Sequence, residues 1–176
     1  MLIRLKQLLD EDAQLLMAVY KESNRDNVVY FFPELKDTQE GLHMTEEAYI
    51  NWIRDDFLRQ KNTFYYVWEE KGTWLSSLRF HEVGNKYYYM EALETHPEYR
   101  GQGYAEKLIN GVIEELKGKG NFEIESYTSA KNIASQKTHK KCGFVVTDKK
   151  PFDYASQEYV DNAVGFLYRY PYSQNL

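Results

Sequence analysis

The chain has 176 residues, 43% of them hydrophobic and 28% charged, with a formal net charge of −5 and a pI near 5.5. That length suits one domain over residues 1–176 with its own core. The acidic balance argues against a nucleic-acid partner, which requires a basic face to displace counterions from phosphates. The single cysteine, Cys142, excludes an internal disulfide and a cysteine-based zinc site, and no metal is expected. No apolar run is long enough to cross a bilayer, and the first residues lack a signal-peptide layout. The expectation is a cytoplasmic protein with no membrane partner.

At the N-terminus, Ile3 and Leu5 alternate with Arg4 and Lys6 as a short strand. Asp10, Glu11 and Asp12 then start a helix that buries Leu15, Leu16 and Val19. The stretch NRDNVVYFFPELKDTQEGLH keeps no sustained period and reads as a long loop. Thr45 is a candidate cap for a second helix, whose apolar face is Tyr49, Trp52, Ile53 and Phe57. Three strand-like runs follow, TFYYVWEE, TWLSSLRFHEV and KYYYMEALET, joined at Lys71-Gly72 and Gly84-Asn85 as an antiparallel meander. Ala105, Leu108, Ile109, Val112, Ile113 and Leu116 mark a helix that Gly118 and Gly120 end. FEIESYT is a strand, NIASQKTHKKC a helix closed at Gly143, and FVVT and NAVGFLYRY are strands separated by a polar connector. A strand, helix and strand around residues 86–127 imply a parallel pair with a crossover helix, so the sheet is mixed.

HPEYRGQGYAEKL, from His96 to Leu108, places two glycines where that crossover helix begins. Gly101 and Gly103 permit close backbone approach and positive φ. The first N–H groups of a helix lack internal partners, and its dipole adds positive charge there. Together they form an anion site suited to a pyrophosphate, with Arg100 adding charge at the rim. The plain alternative is a glycine turn between strand and helix. A dinucleotide fingerprint would need a third glycine where Glu106 stands, and a P-loop needs Gly-Lys before Ser or Thr; neither fits.

Arg100-x-x-Gly103-x-Ala105 resembles the Arg/Gln-x-x-Gly-x-Gly/Ala motif of the GNAT superfamily of N-acetyltransferases, and NIASQKTHKKCGF resembles that family's second signature. The resemblance covers nearly the whole chain. It implies an α/β (α+β) fold, with a twisted mixed sheet of about seven strands flanked by four helices. It also implies a splayed parallel strand pair and acetyl-CoA as acyl donor. Carried onto this sequence, the backbone of Leu93, Glu94 and Thr95 would pair with the pantetheine arm. The N–H groups of Gly101, Gln102, Gly103, Tyr104 and Ala105 would hold the pyrophosphate, beside Arg100. Asn132 would reach the pantetheine or the attacking region, with Ser135 one turn further on; a simple helix cap is the alternative for Asn132.

Acetyl transfer by direct attack needs a base, because an alkylammonium has a pKa of about 10. Glu91 is the favoured base, on the face of Tyr89 and Leu93 if no bulge intervenes; Glu94, expected on the opposite face, and Glu125 are rivals. His139 stands where many family members carry a tyrosine acid. It is either a proton donor or a partly exposed helix histidine. Cys142, among packing residues at a helix end, is expected to be an inert buried thiol. In this architecture the acceptor pocket would draw on Tyr30, Phe31, Phe32, Trp74, Arg79, Tyr88 and Tyr168, rings that suit an amine with an apolar body. Arg79 alternatively selects a carboxylate or is a surface residue. The acceptor is a small-molecule or peptide amine, and the protein a monomer or homodimer. A longer acyl-CoA donor, or a non-catalytic acyl-CoA sensor, remains open.

Overall fold

Alternating strands and one strongly striped helix define the architecture of the computed structural model, which describes residues 1–171. The chain runs β1 (Leu2–Leu5), α1 (Asp10–Val19), α2 (Lys21–Phe31), α3 (Gln39–Asp55), β2 (Thr63–Glu70), β3 (Thr73–Gly84) and β4 (Tyr87–Thr95). It continues through α4 (Tyr104–Lys117), β5 (Phe122–Ser129), α5 (Ile133–Lys141), β6 (Val145–Thr147), β7 (Phe152–Asp153), β8 (Glu158–Tyr159) and β9 (Ala163–Tyr170). Seven strands form one sheet in the order β1-β2-β3-β4-β5-β9-β6. Every neighbouring pair in it is antiparallel except β4 and β5, which α4 joins as a crossover.

Strand alternation divides the core into two layers. On one face, Leu78, Phe80, Tyr88 and Met90 pack under Leu108, Ile109 and Val112 of α4. On the other, Tyr65 and Val67 pack with Leu16 and Val19 of α1, Ile53 of α3 and Phe57. The α4 stripe falls as read, with Leu108, Ile109, Val112, Ile113 and Leu116 all buried. Burying each such side chain contributes about 1.5–3 kcal/mol, so this helix is firmly seated on the sheet.

Three expectations are corrected. The stretch from Asn24 to His43 is not one long loop: it holds most of α2 and the start of α3, and α2 brings the helices to five rather than four. Its buried positions include Asn24, so an apolar-only pattern misses it. The cap of α3 is Thr38, whose side chain accepts from the Gly41 N–H at 2.9 Å. Thr45 instead lies buried inside that helix, donating to the Gly41 carbonyl at 2.9 Å. The polar connector between the last two sheet strands contains the β7–β8 hairpin.

Gly41 is where α2, the turn after it and α3 meet. A Cβ there would collide with the Leu35 carbonyl oxygen and lie 2.7 Å from Val28 Cγ1. Gly41→Ala is therefore expected to cost about 1–3 kcal/mol by overpacking, measured by chemical denaturation. Unchanged stability would contradict this packing.

Candidate active site

Pairing between β4 and β5 stops halfway along β4. Its register runs only from Tyr87↔Glu123 to Met90↔Ser126, and β5 continues paired to β9 alone. Residues 91–95 therefore present an unpaired backbone edge toward β5, as the resemblance implies. On its other edge β4 carries a bulge. Between Arg79↔Glu91 and Ser77↔Glu94, Ala92 and Leu93 oppose the single residue Leu78. Ala92 takes φ +50°, unusual for a residue with a Cβ.

The bulge resets the alternation of the strand. Glu91 and Ala92 both face the α1–α3 side, Leu93 packs with the α4 core, and Glu94 faces the α1–α3 side again. The expectation that Glu91 shares a face with Leu93 and opposes Glu94 is thereby corrected. Thr95 stays in the ladder, paired with Ser76, and their side-chain oxygens are 3.4 Å apart.

The glycine loop follows directly. Gly101 and Gly103 have φ +77° and +81°, and Gly103 caps α4 in the left-handed region. A Cβ at either would meet nothing within 4 Å, so conformation rather than crowding requires glycine there, and the loop face is open. Gln102 is exposed beside them. Tyr104 and Ala105 form the first turn of α4 and contribute N–H groups. The Tyr104 hydroxyl is turned away, donating to Glu70 at 3.3 Å. Arg100 pairs with Glu22 of α2. An open N-terminal turn beside an unpaired strand edge fits an extended ligand with a pyrophosphate at one end.

On the α1–α3 side a cleft of about 530 Å³ opens against the same strand. Tyr20, Phe31, Tyr49 and Trp52 supply rings, Asn24 and Asn27 amides, and Arg79 and Glu94 charges; Ala92 closes the floor. Burial raises the Glu94 carboxyl above its ordinary value, while the positive charge of Arg100 offsets part of that rise. Glu91 is different. Its Oε1 accepts from Arg79 Nε at 3.0 Å and lies 2.7 Å from His81 Nε2. Burial pushes its pKa up, but the His81 contact and the Arg79 charge outweigh that and hold it below the usual carboxylate range. The Arg79 guanidinium also donates to the Tyr49 hydroxyl at 3.1 Å and sits 4.8 Å over the Trp52 ring. Arg79 is neither a surface residue nor an uncompensated cation.

Other expected residues fall elsewhere. His139 is 2% exposed, so neither reading of it as an accessible acid nor as a partly exposed residue holds. Its Nδ1 lies 2.8 Å from the Ser135 carbonyl and its Nε2 3.1 Å from Ser126 Oγ, and its ring stacks on Phe166 at 4.6 Å. Burial lowers its pKa, which keeps the ring neutral near pH 7. Asn132 is the helix cap, accepting from the Ser135 N–H at 3.0 Å, and Ser135 Oγ lies 3.4 Å from His139 Nδ1. Burial pushes the Cys142 thiol up to about 12, which leaves it inert as a nucleophile. Glu125 receives the Tyr87 and Tyr154 hydroxyls away from the cleft.

Of the seven expected pocket residues, only Phe31 and Arg79 line the cleft. Trp74 is buried in the α1–α3 core, and Tyr88 and Tyr168 belong to the opposite core under α4, because strand alternation sends them there. Tyr30 is 79% exposed on the outer side of α2, and Phe32 forms its C-cap. Tyr20, Asn24 and Asn27 were missed. Their signal was a stripe at 20, 24, 27, 28 and 31, helical in spacing but with asparagines at two apolar positions.

A splayed parallel pair, a glycine loop opening the crossover helix and a facing cleft define the fold shared by coenzyme A-dependent N-acyltransferases. The model of the acetyltransferase (GNAT) family matches residues 17–144, and the chain belongs to that family. It is 34% identical over 56 residues to L-amino acid N-acyltransferase MnaT of Escherichia coli (strain K12), covering 32% of this chain and 33% of that one. It is 36% identical over 64 residues to aminoglycoside N(6')-acetyltransferase type 1 of Serratia marcescens, covering 36% of this chain and 44% of that one. The chain thus aligns with between a third and a half of each curated relative's length. In fold it is similar to the PaiA N-acetyltransferase of Thermoplasma acidophilum, solved in complex with coenzyme A. That match has a TM-score of 0.62 and 16% identity, over 97% of this chain and 99% of that one. Among the described residues no helix is long and apolar enough to cross a membrane.

The Arg79–Glu91 pair is largely buried, with side chains 15% and 11% exposed. Glu91→Gln leaves the guanidinium without its countercharge and is expected to cost about 3 kcal/mol in urea unfolding. Glu91→Gln/Arg79→Met should be less destabilised than the single variant. A single variant within about 0.5 kcal/mol of wild type would contradict this role.

Proposed function

We propose that the protein is an acetyl-CoA-dependent N-acetyltransferase in which a primary amine attacks the thioester directly. The observation that carries this reading is that one short segment borders both substrates' spaces. Glu94 turns its side chain into the cleft, while the backbone from Glu91 to Thr95 leaves its β5-side edge unpaired.

In this reading the unpaired edge at Leu93, Glu94 and Thr95 receives the pantetheine arm, and the N–H groups of Gly101 to Ala105 receive the pyrophosphate. The bound thioester supplies an activated acetyl carbon. Everything else falls to this chain's side chains. The ring-walled cleft holds the amine in line and excludes water, which lowers the entropic part of the barrier. Glu94, rather than Glu91, takes the proton from the ammonium: it faces the cleft, and its raised pKa improves it as a base. Glu91 is already committed to Arg79 and His81. His139 donates no proton; the thiolate departs without a protein acid, which a thiol pKa of about 8.5 permits. It takes up the second proton that the nitrogen sheds as the tetrahedral adduct collapses. Covalent transfer through Cys142 is rejected on its burial and raised pKa.

The charge of the cleft indicates the acceptor. Arg79 is neutralised by Glu91, so Glu94 supplies the remaining net charge. One free carboxylate among rings suits a small monocationic amine with an apolar or aromatic body. A polycationic acceptor, of the kind that the Serratia relative is named for, would need several. Amino-acid-derived amines with a single positive charge, nearer to what the E. coli relative is named for, match the one carboxylate better.

The test is the pH dependence of turnover with aromatic amines. Glu94 must be unprotonated to act, so kcat/KM rises with pH through a limb lying above the ordinary carboxylate value of 4.5. Glu94→Gln is expected to abolish that limb and lower kcat by about 10²-fold or more, with acetyl-CoA affinity nearly unchanged. Full activity in that variant would place the base elsewhere.

A further inference from the structure

Something other than sheet pairing has to hold the bulge of β4. Ala92 and Leu93 have no Cα partner on β3, and β5 has already diverged after Met90. Alanine at φ +50° is disfavoured, because its Cβ crowds the neighbouring backbone. At this point Tyr20, from the junction between α1 and α2, donates its hydroxyl to the Ala92 carbonyl at 2.8 Å. The ring is fixed: it is 5% exposed and meets the edge of Tyr49 at 5.3 Å between centroids. Tyr20 and Ala92 both line the cleft.

We propose that Tyr20 is a positioning residue, whose hydroxyl clamps the Ala92 carbonyl and so fixes the bulge that aims Glu94 into the cleft. Without the bulge, ordinary alternation would carry Glu94 to the opposite face and restore pairing with β3. The clamp also ties the cleft wall to β4, because Tyr20 stands in that wall and its hydroxyl reaches the strand. Burial keeps the phenol protonated well beyond its usual range, so the donor persists at any working pH. Only the kinetic consequences of this inference rest on the acetyl-transfer reading; the clamp itself concerns the backbone.

Tyr20→Phe keeps the ring and removes the hydroxyl. In amide hydrogen exchange on the full chain, residues 91–95 of this variant should exchange about tenfold faster than in wild type, while β2 keeps its protection. With acetyl-CoA and an aromatic amine, kcat should fall by about 10- to 100-fold while the affinity for coenzyme A stays within about threefold. Adding Ala92→Gly should recover much of the loss, since glycine adopts positive φ without a Cβ penalty. Unchanged exchange at residues 91–95 would overturn the clamp, as would a loss of activity that Ala92→Gly fails to relieve. If wild type transfers no acetyl group yet exchange responds as expected, the proposed function fails and the clamp stands.

Discussion

A strand that loses its partner halfway along governs this molecule. From Tyr87 to Met90, β4 is locked between β3 and β5; beyond that, β5 follows β9 and the β5-side edge of β4 is left open. Open backbone edges in a sheet invite another strand or an extended ligand to complete them. Here the opening is sheltered and leads directly into a glycine loop with free helix N–H groups. The same segment carries a bulge, which puts Glu91, Ala92 and Glu94 on one face. The rest of the fold supports that geometry: α4 backs the sheet on one side, and Tyr20, α2 and α3 wall the cleft on the other.

Electrostatics in the cleft follow from which carboxylate is paired. Arg79 and His81 converge on one oxygen of Glu91, and Tyr49 and Trp52 enclose the guanidinium. A charge pair this enclosed contributes little net stability, but losing either partner strands the other. Its value lies in arrangement, because it neutralises the cation at the cleft and leaves Glu94 as the carboxylate lining it. Burial pushes both glutamates up: at Glu94 it outweighs the opposing charge of Arg100, whereas at Glu91 the His81 contact and the Arg79 charge prevail.

Much of the scaffold was legible in the residues. The α4 stripe, the meander joints and the glycine pair are local signals, set by periodicity and backbone freedom. Helix α2 was not legible, because Asn24 and Asn27 stand where apolar residues would mark its inner face, and they do so because that face lines a cleft. The bulge was hidden because Ala92 gives no sign of positive φ. Tyr88, Trp74 and Tyr168 were expected as pocket rings from the architecture that the resemblance implies, yet alternation sends them into packed layers. His139 looked like a proton donor by position; Ser126, the Ser135 carbonyl and Phe166 satisfy it inside the core. In each case the missing information was which face a side chain takes, and that depends on pairing between distant segments.

The central claim is that the unpaired edge of β4 and the adjoining loop form one continuous acyl-donor site. Hydrogen exchange of wild-type protein with and without acetyl-CoA tests it most directly. Protection is predicted at residues 91–95 together with residues 101–105, with α3 and β1 unaffected. Saturating acetyl-CoA that protects the loop but leaves residues 91–95 exchanging at the free rate would contradict it.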